Sequence, residues 1–97
     1  MKKKLIVKIG TSTLTAGTNR ISFAVIESLA RQIVELKKEH DIVIVSSGAI
    51  ATARQFVEIN GLNKQVDSKQ AMAAIGQTKL MELYDNIFAT FGLNIAQ

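Results

Sequence analysis

The sequence predicts an α/β fold built on a parallel βαβ unit, and three features predict it. Two short runs rich in β-branched residues, over 5–9 and 41–46, flank a stretch with helical periodicity. A glycine follows each run closely, Gly10 after the first and Gly48 after the second. The stretch between the runs is long enough for a helical crossover, so the strands are expected to be parallel and the connection right-handed.

Leu5-Ile6-Val7-Lys8-Ile9 is the first predicted strand, closed by Gly10. A polar loop over 11–20 follows, and Ser22 is placed as the N-cap of a helix running to about Glu39. Ile26, Leu29, Ala30, Ile33 and Leu36 recur at helical spacing, which gives that helix one apolar stripe to set against a sheet. Lys37, Lys38 and His40 complement the dipole at its C-terminal end. Asp41-Ile42-Val43-Ile44-Val45-Ser46 shows no polar alternation, which predicts a strand covered on both faces, in a sheet sandwiched by helices.

Ser47-Gly48 leads straight into a helix over 49–58, stopped by Asn60-Gly61. Asp67-Ser68 caps a further helical stretch through Gln70, Met72 and Ile75. Gly76 is expected to break or bend it, because the apolar stripe shifts there to Leu80, Leu83, Tyr84, Ile87, Phe88 and Phe91. Gly92 suits the C′ position, and residues 93–97 are expected to begin another strand. On this reading residues 1–97 are the N-terminal segment of a larger domain. Open strand edges and a stripe wider than one small sheet predict a homo-oligomer.

Composition narrows the function. With 47% hydrophobic and 21% charged residues, the chain has the apolar content of a folded domain and none of the long polar blocks of a disordered one. The absence of cysteine removes disulfides and thiolate chemistry and is compatible with a cytoplasmic location. The apolar runs fall far short of the roughly 20 residues that span a bilayer. The net charge of +4 comes from scattered lysines and arginines, and only five residues are aromatic, so a nucleic-acid surface is not expected. His40 stands alone, and the carboxylates fall on polar helix faces or caps, so no metal site is expected. There is no Gly-rich run ending in Lys-Ser or Lys-Thr and no G-x-G-x-x-G after a strand.

What remains is a pair of glycine-containing turns at strand ends, where open α/β sheets bind ligands. In Lys8-Ile9-Gly10-Thr11-Ser12, Gly10 admits close backbone approach, and successive N–H groups can cradle phosphate oxygens. Lys8 within an apolar strand either meets an anion or carries its ammonium out to solvent. In Ser46-Ser47-Gly48-Ala49, the start of a helix offers orphan N–H groups to a phosphate or carboxylate, or Ser47 serves only as a cap.

Val7-Lys8-Ile9-Gly10-Thr11-Ser12 with Leu14-Thr15, Ile44-Val45-Ser46-Ser47-Gly48-Ala49-Ile50-Ala51, and Ser68-Lys69-Gln70-Ala71-Met72-Ala73-Ala74-Ile75-Gly76-Gln77 closely resemble the amino-acid kinase family. The last two blocks resemble in particular the branch of that family that phosphorylates the side-chain carboxylate of L-glutamate. One departure is Ala53 before Arg54, where the family usually has glycine. The resemblance implies ATP with Mg²⁺ as cofactor and L-glutamate as acceptor, in the first step of proline synthesis. It implies that Lys8 is the catalytic, phosphate-contacting lysine, assisted by Gly10, Thr11 and Ser12. Ser47, Gly48 and Ala49 would hold the glutamate. The family's nucleotide-binding part has no counterpart in these residues, so the 97 residues alone are expected to be inactive. A stand-alone anion-binding module, or a family member acting on another carboxylate or phosphate, are the alternatives.

Overall fold

In the computed structural model, residues 2–59 and 69–96 are described. The elements run β1 (Lys3–Ile9), α1 (Thr11–Leu14), α2 (Phe23–Leu36), β2 (His40–Ser46), α3 (Ala49–Ile59) and α4 (Lys69–Ala89). β1 and β2 pair in parallel, with Val7 opposite Ile44 and Ile9 opposite Ser46, and α2 forms the crossover. The expected βαβ unit is therefore present.

Ser22 caps α2 as expected, its Oγ accepting the Val25 N–H at 3.3 Å. Helix α2 buries Ile26, Ala30 and Ile33 and ends at Leu36, a few residues before the expected Glu39. His40 opens β2, and its Nδ1 lies 3.2 Å from the Leu36 carbonyl oxygen, a local contact at the helix end.

The apolar stripe of α2 meets Leu80, Tyr84 and Phe88 of α4 in one core, which also takes in Ile9, Leu14, Ile21 and Leu93. Val7, Ile42 and Ile44 pack against the same core. The helices thus cover one face of the sheet among the described residues. On the other face Ile6, Val43 and Val45 are 62%, 45% and 51% exposed. This corrects the expectation that β2 is covered on both faces. Side chains alternate across a strand, so the odd-numbered residues of β2 point away from the only helices packed here.

Three further expectations change. Residues 11–14 form a single helical turn, α1, within the stretch expected to be a loop. Gly76 does not break its helix, since α4 runs unbroken over 21 residues. A Cβ built at Gly76 would overlap the backbone carbonyl of Ala49, so the glycine marks the place where α3 crosses α4 in backbone contact. Residues 93–96 take up no strand. Gly92 is the expected C′ glycine, at φ 73°, and the Leu93 N–H returns to the Phe88 carbonyl at 3.0 Å. That turn drives Leu93 into the core. The helix stop at Asn60-Gly61 and the cap at Asp67-Ser68 lie outside the described residues. No described helix is long and apolar enough to cross a membrane.

Candidate anion-binding site

Parallel pairing brings both strand ends to one edge. Ile9 and Ser46 are register partners, so the turns that follow them lie side by side. A hydrogen bond joins them directly, from the Ser47 N–H to the Ile9 carbonyl at 2.8 Å. Gly10 is the N-cap of α1, with φ −82° and ψ 162° and no side-chain cap. The Gly10 carbonyl accepts the Leu14 N–H at 3.1 Å. The N–H groups of Thr11, Ser12 and Thr13 precede the first residue that can bond back within the helix, so they are free to serve a ligand. All three residues are exposed, and a Cβ built at Gly10 would meet open space.

The second turn is more tightly built. Gly48 is buried with φ +108°, a left-handed conformation that side chains resist. A Cβ there would lie 2.8 Å from Leu14 Cδ1, so α1 itself packs over this turn. Thr52 ties the start of α3 by donating both its N–H (2.9 Å) and its Oγ1 (2.7 Å) to the Gly48 carbonyl. Ala49, Ile50 and Ala51 then carry the orphan amides of α3. Gly76 fixes this end from below, through its contact with Ala49.

The predicted residues fare differently. Gly10, Thr11 and Ser12 come together at α1, and Ser47, Gly48 and Ala49 at the start of α3, as neighbours on one edge. Ser47 contributes less backbone than expected, because its N–H is already engaged by Ile9. Its exposed hydroxyl has no partner among the described residues, so it is not a cap. Lys8 is not buried. It stands on the open face of the sheet opposite Val45, exposed and without an ion pair among the described residues. The desolvation argument for an anionic partner therefore does not apply to it.

Sequence reasoning missed one link. The Tyr84 hydroxyl lies 2.7 Å from Ser46 Oγ, 38 positions away. Burial pushes the Tyr84 phenol above its ordinary 10.0, and a hydrogen bond from Ser46 to the ionised form offsets part of this. The signal was available, since a tyrosine on a buried stripe needs a partner for its O–H. Among the described residues no cluster of acidic or histidine side chains forms a metal cage. The amide donors present suit phosphate oxygens.

A parallel βαβ unit with two helix starts side by side at its carboxyl edge is the place where open α/β sheets take their ligands. The chain belongs to the amino acid kinase family, whose model matches residues 3–97. Among curated relatives it is 45% identical over 96 residues to the glutamate 5-kinase of Vibrio vulnificus. It is 47% identical over 96 residues to that of Dehalococcoides mccartyi, and 41% to that of Geobacter sulfurreducens. Each alignment covers 98% of this chain and 25% or 26% of the relative. The chain spans about a quarter of the length of the curated relatives it matches.

Proposed function

We propose that these residues form the phosphate and acceptor turns of a glutamate 5-kinase. The reaction is ATP-dependent phosphorylation of the L-glutamate side-chain carboxylate to glutamyl 5-phosphate, the first step of proline biosynthesis, in the cytoplasm. The observation that carries this reading is identity at 41–47% to glutamate 5-kinases, in alignments that span nearly the whole chain.

Physical chemistry supports the assignment of roles. One carboxylate oxygen attacks the γ-phosphorus, the bond to the β–γ bridging oxygen breaks, and ADP leaves with that electron pair. The acceptor is already ionised, so no side-chain base is needed. The difficulty is charge: two unit anions 4 Å apart repel by about 4 kcal/mol at the effective dielectric of a protein surface. Lys8 and the amides of α1 offset that repulsion on the phosphoryl side. The amides of α3 and the Ser47 hydroxyl hold the carboxylate acceptor. The hydrogen bond from Ser47 to Ile9 keeps the two groups in one frame, and such positioning is what in-line transfer requires. ATP with Mg²⁺, when bound, supplies the phosphoryl group.

The test replaces the first quarter of the Vibrio vulnificus enzyme by these 97 residues and assays acyl phosphate as the hydroxamate, with ATP, Mg²⁺ and L-glutamate. Turnover is expected, and a folded chimera without it overturns the reading. In that chimera Ser47→Ala is expected to raise KM for glutamate by the equivalent of about 0.5–2 kcal/mol, one lost hydrogen bond. Its melting temperature should not move, because the hydroxyl bonds nothing else among the described residues; a lower melting temperature with normal KM would make it structural. The same reading has the chain self-associate. The exposed Ile6, Val43 and Val45 support this, and light scattering at micromolar concentration is expected to give a species larger than a monomer.

A further inference from the structure

Ser46 Oγ stands between two oxygens, the Tyr84 hydroxyl at 2.7 Å and the Ser47 carbonyl at 2.8 Å. A carbonyl can only accept, so the single serine proton goes to Ser47 and the phenol proton goes to Ser46. The donors therefore run in one direction, from Tyr84 O–H to Ser46 O–H to the Ser47 carbonyl. Ser47 is then held at both of its peptide groups, because its N–H is bound to the Ile9 carbonyl at 2.8 Å.

We propose that Tyr84 is a positioning residue for the acceptor turn. Through Ser46 it holds the Ser47–Gly48 peptide and so sets the direction in which the first amides of α3 point. The need arises from Gly48. A glycine at φ +108° has no side chain to hold its peptide plane, and the backbone there has many alternatives of similar energy. Tyr84 suits the task because its ring is packed in the core. It is 4% exposed, and its ring meets the edge of Phe88 with centroids 5.6 Å apart. Helix α4 thus acts twice on one turn, by Gly76 against Ala49 and by Tyr84 through Ser46. Neither contact touches the ligand directly.

The inference rests on the glutamate reading for its kinetic consequence only, so the experiment has two arms. In the first, amide hydrogen exchange is followed by NMR in the 97-residue chain and in Tyr84→Phe, which keeps the ring and removes the hydroxyl. Exchange at Ser47 and at Thr52, the first hydrogen-bonded amide of α3, is expected to quicken about three- to tenfold, the worth of one hydrogen bond, while the rest of β2 stays unchanged. Unchanged exchange at Ser47, or quickening shared by all of β2, overturns the relay. In the second arm the chimera carries Tyr84→Phe, Ser46→Ala, or both. KM for glutamate is expected to rise about three- to tenfold in each single variant, with kcat and KM for ATP unchanged and no further loss in the double variant. Local quickening with unchanged KM for glutamate overturns the positioning role. An unsubstituted chimera without activity counts against the function, and the exchange arm still decides the relay.

Discussion

Replacing Lys8 by alanine is expected to lower kcat by about 10²–10³-fold, the usual cost of removing one donor from a preorganised anion site. KM for glutamate should change little. The lysine is assigned to charge on the transferring phosphoryl group, and that charge is most demanding in the transition state. The structure makes the experiment clean. Lys8 is exposed, forms no ion pair among the described residues, and contributes to no core contact, so its truncation should leave folding intact. Steady-state hydroxamate assays on the chimera, with a melting curve for each variant, check both halves. A kcat within twofold of the parent, with normal folding, would show an ordinary surface lysine.

Gly76→Ala is expected to destabilise the fold, against the direction that helix propensity alone predicts. On a solvent-facing helical site this substitution would gain about 1 kcal/mol. At Gly76 the added methyl overlaps the Ala49 carbonyl, which belongs to a backbone and cannot rotate aside. Overpacking typically costs about 1–3 kcal/mol, and an overlap with backbone stands at the upper end, so the net loss is about 2 kcal/mol. Urea denaturation of the 97-residue chain gives the value from the shift in midpoint at constant slope. An increase in stability would mean that α3 and α4 do not cross in contact. The same overlap moves the first turn of α3, so the chimera carrying Gly76→Ala should also bind glutamate more weakly.

Several parts of this protein were legible before any coordinates. Ser22 caps α2 because a serine hydroxyl ahead of an apolar periodic run satisfies a free helix N–H, which is a matter of three neighbouring residues. Gly92 ends α4 because only a residue tolerant of positive φ lets the chain double back onto Phe88. Gly10 and Gly48 marked the two turns at the strand ends because each stands where a strand gives way to a helix. Gly76 misled for the same reason: as a local signal, a helical glycine is a weak point. Its actual role is set by a helix crossing more than twenty positions away along the chain.

By itself the sequence determined the strand–helix–strand core, the parallel pairing of its two strands and the position of the two glycine turns at the strand ends. These depend on hydrogen bonds and backbone preferences within a few residues, and on a chirality that every L-chain shares. Only the tertiary structure decided which face of the sheet the helices cover, that Lys8 lies on the open one, and that Tyr84 reaches Ser46. Those outcomes turn on which distant surfaces meet. A stripe of apolar side chains specifies that something must cover it, but the partner is chosen by the packing of the whole core.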